Sequence, residues 1–385
     1  MQSKTIVMIE SQGFVGFEGT YPRMINTAKC LLRKSYEVLV IGWDRDCSYP
    51  PSESVEGIRV ERIGIRAGDM RGPINQFLPM TLFFVKAFWK LMKYNFKVIH
   101  CHNIDVLPLS YIVSRIKKTK LILEAHEPDY YAFWPKKWHV FLRIIQSLEK
   151  YFSKRADYVI VTNSYQVEKY RNSGIENIVL IGNYPVNSII LEELPEEKFL
   201  REDLFIGRVG TIYQGTGIEE IIEAFQRLFL RHRNIKLYFA GRILNGYTEE
   251  FNRLIDPIRD KVIVAGAYHF DDIQRHYEKI DISIMPYRKN AWFKNITPSK
   301  LFDSLANGVP VITTDIGGVG DMLKKYNCGI IVEDGDITGI ERAIESLLVD
   351  VKLRKKMAQN GLDAIKKEHN WNLMEERLIK VYDEL

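Results

Sequence analysis

Asn295-Ile-Thr-Pro-Ser-Lys300-Leu-Phe-Asp303-Ser-Leu-Ala-Asn-Gly308-Val-Pro310-Val-Ile312 is the stretch whose reading decides the fold of this chain. Small and polar residues open a helix, Gly308 ends it, and Val309-Pro-Val-Ile312 starts a strand. Lys300 and Asp303 stand three apart and so share one helix face. Ile296, Thr297 and Ser299 offer backbone amides ahead of and within the first turn, while Pro298 has none to offer and costs little there. Free amides at a helix N-terminus attract phosphate, and a carboxylate one turn further accepts hydrogen bonds from ribose hydroxyls. The pattern predicts diphosphate on these amides and on Lys300, with ribose on Asp303: a nucleotide-sugar site. The plain alternative is a capped surface helix with both charges in water.

Working outward, the same strand–helix grammar runs through the chain twice. Ile6–Ile9, Glu37–Ile41, a strand from Val98, one from Leu121, Asp157–Val161 and Ile178–Ile181 read as buried strands of a parallel sheet, with helices at Pro22–Arg33 and across Ser147–Ser153. A second set begins at Leu204 and continues with Lys236–Ala240, Val262–Val264, Ile282–Met285, Val309–Ile312 and Gly329–Val332. Helices are expected in Gly217–His232, Gly339–Leu348 and Val351–Glu368. The expected fold is α/β, with two Rossmann-like, doubly wound domains facing an interdomain cleft. The expected boundaries are 1–185 for an acceptor-side domain and 186–201 for an acidic, proline-bearing linker. A nucleotide-sugar domain follows at 202–368, and 369–385 forms a C-terminal helix returning to the first domain.

With 385 residues the chain is too long for one ordinary core, and 46% hydrophobic with 27% charged residues describes a folded, soluble class. A net charge of +5 fits anionic small ligands or an anionic membrane surface and does not argue for nucleic acid. Cys30, Cys47, Cys101 and Cys328 have no metal or redox spacing, which predicts reduced thiols and a cytoplasmic setting. The N-terminus runs straight into a strand without a leader pattern, and no apolar run is long enough to span a bilayer. Phe77 to Lys93 is apolar and aromatic, with Lys86, Lys90 and Lys93 spaced three or four apart. It is expected either to pack on a sheet with its lysines in water, or to lie on the cytoplasmic face of an anionic membrane as a peripheral contact.

The ordered set Pro-x-Lys-x-x-acid, Gly-x-Pro-Val-Ile and Gly317-Gly318, within Tyr268–Asp336, resembles the retaining nucleotide-sugar glycosyltransferases of the GT-B fold, specifically glycosyltransferase family 4. The resemblance extends over nearly the whole chain. It implies transfer of a glycosyl group from a nucleoside-diphosphate sugar to a glycan or lipid-linked glycan, without a metal or other cofactor. The family carries two glutamates separated by seven residues. This chain has Asn295, which the resemblance places near the donor sugar, and Asp303, which it places on ribose.

The resemblance also implies a phosphate role for Gly210-Thr211-Ile-Tyr-Gln-Gly215-Thr216-Gly217, where the family carries an arginine and a lysine. Here Thr211 and Thr216 stand in their place, and Arg208 or Arg242 could supply the missing charge. Tyr268 is expected near the nucleobase or in the core. Gly16, in Gln12-Gly13-Phe-Val-Gly16-Phe-Glu18-Gly19, corresponds to the family's N-terminal glycine loop. His126, in Leu123-Glu-Ala-His126-Glu127, corresponds to a histidine that contacts the donor sugar or phosphate, so the catalytic set is His126, Lys300 and Asn295. His100 and His102 have a metal-like spacing but no third ligand nearby in sequence, and are expected to hold the loop or, for His102, to bind acceptor. Asp44 and Asp46 are expected in a solvated loop. Two other accounts stand beside transfer: a sugar-nucleotide epimerase, and a noncatalytic glycan-binding or scaffold protein with the same fold.

Overall fold

In a strand, alternate side chains leave on opposite faces. Val7, Ile9, Leu39, Ile41, Ile99, Cys101, Leu121 and Leu123 therefore form one buried face, while Ile6, Met8, Val38, Val40, Ile122 and Ile160 are buried on the other. A sheet buried on both faces needs helices on both, which is the doubly wound arrangement. The computed structural model describes residues 4–11, 22–67, 73–128, 139–244 and 246–385. They form two units, Met1–Gly182 with Met374–Leu385, and Asn183–Leu373.

In the first unit the strands are β1 (Thr5–Glu10), β2 (Glu37–Asp44), β3 (Ser52–Val55), β4 (Ile58–Gly64), β5 (Val98–His102), β6 (Lys120–Ala125), β7 (Tyr158–Val161) and β8 (Ile178–Leu180). They lie in the order β3-β4-β2-β1-β5-β6-β7-β8, parallel except for β3 against β4. The β3–β4 hairpin is absent from the sequence expectation because Ser-Glu-Ser-Val has no apolar run to mark it. Its turn is formed by Glu56 (φ 50°) and Gly57 (φ 82°), the double left-handed conformation that matches the twist of a hairpin. The helices are α1 (Pro22–Arg33), α2 (Pro73–Met92), α3 (Leu107–Lys117), α4 (His139–Ser153) and α5 (Ser164–Asn172). Phe83 and Leu91 of α2, Leu107 and Val113 of α3 and Phe152 of α4 pack in one core against the sheet. Right-handed crossovers place these helices on the same side. Lys90 of α2 does not stand in water with Lys86 and Lys93: it is half-buried, with Nζ 2.8 Å from Glu61.

The second unit is an all-parallel sheet of β9 (Leu204–Val209), β10 (Ile235–Ala240), β11 (Val262–Gly266), β12 (Ile282–Met285), β13 (Val311–Thr314) and β14 (Gly329–Val332), in the order β11-β10-β9-β12-β13-β14. Its helices are α6 (Ile218–Phe229), α7 (Thr248–Ile255), α8 (Ile273–Lys279), α9 (Ser299–Ala306), α10 (Val319–Tyr326), α11 (Ile337–Val349) and α12 (Val351–Glu368). α13 (Trp371–Asp383) follows, and its residues from Met374 onward belong to the first unit. β13 starts at Val311 rather than Val309, because Pro310 has no N–H to give a ladder. Residues 186–201 form two 3-10 turns that bury Ile189, Lys198 and Phe199, with Lys198 Nζ donating to the Tyr277 carbonyl at 2.9 Å.

Strand order reverses direction once in each sheet, between β1 and β5 and between β9 and β12. Ligands of such sheets bind beyond the carboxyl ends of the strands at that reversal.

Candidate active site

Lys300 and Asp303 lie on α9, which follows the loop that leaves β12 in the second unit. Pro298 precedes the helix with extended backbone (φ −66°, ψ 122°), and no side chain caps the first turn. The amides of Ser299 and its neighbours therefore keep their capacity for an anion. Lys300 Nζ stands 3.1 Å from Asp303 Oδ2, with Lys300 partly open and Asp303 buried. Burial pushes the Asp303 carboxyl up while Lys300 pulls it back. For Lys300, burial opposes the charge, but Asp303 and Tyr268 outweigh it and hold its pKa above the ordinary value. The ammonium is thus a full, fixed cation.

Glycines bring the neighbouring loops against this pair. Gly210, just beyond β9, has φ 128°, and a Cβ there would lie 3.4 Å from Lys300 Cγ. Gly241, just beyond β10, has φ 142°, and a Cβ there would come within 2.0 Å of the Gly210 carbonyl oxygen. Gly210 N–H donates to Ala240 and Gly241 N–H to Gly266, so three strand ends are stitched together, with no room for a side chain at Gly241. Tyr268 follows Gly266, half-buried, its ring 4.7 Å from that of His276. Its phenol is raised by burial and drawn down by the Lys300 charge, which places it in the same neighbourhood. Thr297 Oγ1 donates to the Gly317 carbonyl at 3.2 Å, and Gly317 N–H donates to Lys294 at 2.8 Å. The loop carrying Asn295 and Ile296 is thereby tied to the glycine pair, and Asn295 ends a 3-10 turn from Phe293.

The structure separates the two arginine candidates. Arg208 lies on β9, 3% exposed, with its guanidinium 4.9 Å from the centre of the Tyr287 ring. Its Nε and Nη1 are buried and have no hydrogen-bond partner among the described residues. Arg242 is exposed and makes no ion pair among them. Thr211 is exposed, whereas the Thr216 hydroxyl donates to Tyr213 at 2.6 Å and holds the turn.

The corresponding end of the first sheet is an acid–histidine cluster. Residues two apart on a strand share a face, so His100 and His102 of β5 point together, and Glu124 of β6 is the register partner of His102. Glu124 is ion-paired to Arg23 of α1, and His100 Nε2 stands 2.9 Å from its other oxygen. His100 Nδ1 meets the Tyr382 hydroxyl of α13 at 2.7 Å, and His102 Nδ1 meets His126 Nε2 at 2.9 Å. His126, just past β6, also receives support at its backbone N–H from Asn103 Oδ1 at 3.2 Å. Burial lowers its pKa to about 4, so it is a neutral imidazole at neutral pH. His102 is fully buried and cannot reach an acceptor; it orients His126 instead.

Glu10, at the end of β1, is raised to about 8 by burial with added repulsion from Asp105 and Glu124, and so carries a proton. The Ser11 hydroxyl donates to Asp105, and burial alone raises Glu127 to about 7. Ligating atoms of His100, His102 and Glu124 lie within 4.8 Å of one another, so the third group missing from the local sequence comes from the neighbouring strand. Arg23 already supplies the cation there and, against the pull of burial, holds Glu124 well below the usual carboxylate range. The cluster is read as a hydrogen-bonded support for His126 rather than a metal centre.

Gly16 and its loop lie outside the described residues. Asp44 is not solvated: it is 1% exposed and accepts the backbone N–H groups of Ser48 and Tyr49 at 3.3 and 3.0 Å. Sequence reading missed Glu10, Arg23, Glu124 and Tyr382. An acid ending each of the apolar runs Ile6–Ile9 and Leu121–Leu123 was the available signal for Glu10 and Glu124. Arg23 and Tyr382 reach the cluster from remote positions that give no local sign.

Two family models match the chain: Glycosyltransferase Family 4 over residues 22–184, and Glycosyl transferases group 1 over residues 191–363. The chain therefore belongs to the GT-B-fold glycosyltransferase superfamily. Among curated relatives, it is 27% identical over 211 residues to the capsular polysaccharide biosynthesis glycosyltransferase CapM of Staphylococcus aureus, covering 54% of this chain and 53% of that one. The chain thus matches about half the length of that relative. It is 23% identical to an uncharacterized glycosyltransferase of Methanocaldococcus jannaschii, covering 92% of this chain and 91% of that one. Among solved structures, sucrose-phosphate synthase from Thermosynechococcus elongatus superposes with a TM-score of 0.80 at 17% identity, over 100% of this chain and 99% of that one. HepE of Anabaena, in complex with UDP and glucose, gives 0.72 at 15% identity, over 99% of each chain.

Proposed function

We propose that this protein transfers a glycosyl group from a nucleoside-diphosphate sugar to a hydroxyl of a glycan or lipid-linked glycan, retaining the anomeric configuration. One observation carries the reading: a fixed cation, Lys300, is held by Asp303 at an uncapped helix N-terminus against the glycine-stitched strand ends of the second sheet. Negative charge grows on the departing diphosphate, and donors already in place stabilise it without reorganising. The Ile296 N–H is spent on the Phe293 carbonyl at 3.2 Å, so Lys300 and the amides of Thr297 and Ser299 take that role, and the unpartnered nitrogens of Arg208 supply the charge that Thr211 does not. Asp303 accepts from ribose, Tyr268 borders the base, and Asn295 approaches the sugar. His126, neutral and oriented by His102, bonds a sugar hydroxyl as donor or acceptor without adding charge. The leaving phosphate receives the acceptor proton, so this route asks for no protein base. No metal is needed for charge that Lys300 and the amides provide.

The test is a panel of nucleotide sugars with intact-mass analysis of products, beginning with UDP-glucose because HepE was solved with UDP and glucose. A glycosyl mass increment on the acceptor supports transfer. The buried acids Glu10 and Asp105 are the kind of pair an epimerase would need, and donor isomerisation without product growth would establish that reading instead. Lys300→Ala should lower kcat/KM for donor by about 100-fold in a protein that still folds, with some loss of melting temperature because Asp303 loses its partner. Near wild-type kinetics would remove Lys300 from the phosphate site.

A further inference from the structure

The outer surface of the first unit carries apolar ridges that its own core does not use. On α2 the core side is Phe83, Ala87 and Leu91. Leu78, Leu82, Val85 and Trp89 follow a four-three-four spacing on the far side and are 66, 44, 52 and 64% exposed. On α4, Val140, Ile144, Leu148 and Tyr151 form a second outward ridge, 60, 52, 44 and 48% exposed. On α3, between them in chain order and packed against both, Ile112 and Ile116 are 48 and 52% exposed. Soluble surfaces scatter large apolar side chains singly, and three adjoining ridges on one side mark a contact surface.

The charge on this surface is one-sided. The helices and the residues that end them carry Lys86, Lys90, Lys93, Arg115, Lys117, Lys118, Arg143, Lys150, Lys154 and Arg155 against one acid, Glu149. Glu149 is buried and accepts from the Tyr170 hydroxyl at 2.8 Å. Ten bases and one acid give these segments a charge of +9, so with a whole-chain charge of +5 the remainder is negative. Lys86, Lys93, Lys118, Arg143 and Lys150 are exposed and make no ion pair among the described residues. Beside α2, Arg62, Val85, Lys86, Trp89 and Lys93 line an open hollow of about 370 Å³, and Arg62 Nε is buried with no hydrogen-bond partner among the described residues.

We propose that the α2–α3–α4 face docks on an anionic lipid bilayer, with the ridges entering the headgroup layer and the bases meeting lipid phosphate. A second copy of this chain is disfavoured because it would bring two faces of like charge together. The contact is superficial, since no helix among the described residues is long and apolar enough to cross a membrane. It goes beyond the sequence expectation for α2 alone, and it uses no residue of the donor site.

The experiment is vesicle flotation of the full chain with phosphatidylcholine and with phosphatidylcholine containing phosphatidylglycerol. Wild type should float with the anionic vesicles and lose that binding at high salt. Lys86→Glu/Arg143→Glu/Lys150→Glu should weaken anionic-vesicle binding at least about tenfold, whereas Lys352→Glu/Lys356→Glu/Lys367→Glu on α12 should not. Leu82→Ser/Trp89→Ser/Ile144→Ser removes exposed apolar groups without emptying the core and should weaken binding while preserving the melting curve. No binding to anionic vesicles would overturn the proposal. So would wild type that is dimeric by light scattering and becomes monomeric on loss of the ridges with vesicle binding unchanged, because a second copy would then own the face.

Discussion

Asp303 and Lys300 meet opposite demands from one environment: burial resists both charges, and each charge sustains the other. Asp303→Asn keeps the shape of the side chain and removes the charge. Nucleoside-diphosphate affinity measured by calorimetry should fall about tenfold, the loss expected for one charge-assisted bond; equal affinity would refute ribose recognition. Glu10 answers to pH instead. An unfolded chain gives up this proton near 4.5 and the folded chain near 8. Unfolding between those values releases a proton, so stability falls as pH rises from 4.5 to 8 and levels off above. His126 has the reverse sign: its folded pKa of about 4 lies below the ordinary 6.5, and stability falls as pH drops through that interval. Glu10→Gln should therefore stabilise the protein relative to wild type at pH 8 by about 4 kcal/mol, with little difference at pH 4.5. Thermal melts at the two pH values check this, and an equal shift at both would contradict the protonated state of Glu10.

At the scale of elements, the site depends on backbone proximity as much as on side chains. Gly241→Ala places a methyl against the Gly210 carbonyl at a φ that alanine rarely adopts. It should cost about 2–3 kcal/mol and weaken donor binding through displaced Lys300. A melt and a nucleotide titration within error of wild type would show that the stitched strand ends are pliable. The glycines, α9 and most parallel strands were legible because each leaves a local sign. An apolar run bounded by turn residues marks a buried strand, and β12 and β14 have the boundaries expected from the sequence. α1 and α12 likewise span their expected residues, set by amphipathic spacing. The β3–β4 hairpin was not legible because its pairing rests on a two-residue turn and an edge position. Asp44 misled for a related reason: charge suggests water, but Ser48 and Tyr49 fold their amides over it. The His100–Glu124–Arg23 cluster was only half legible, since strand register joins residues that the chain keeps apart.

Across the molecule, both sheets reverse strand order once, and both candidate clusters sit at the reversals: Glu10 with His102 in the first, Gly210 with Lys300 in the second. The first cluster is finished only by α13, where Tyr382 closes on His100 and Met374, Leu378 and Val381 are buried. A chain stopped at Leu373 should leave that side of the sheet bare and lower the melting temperature of the first unit by at least about 5 °C, with faster proteolysis within residues 4–128. An unchanged proteolytic pattern would show that the helix is dispensable. The same arrangement bears on birth as well as on endurance. During translation, residues 4–182 leave the ribosome long before the twelve that complete their fold, with the entire second unit synthesised in the interval. The nascent chain must carry an open apolar groove for that time, and a premature stop codon anywhere in the last few dozen positions spoils the half of the molecule that was made first.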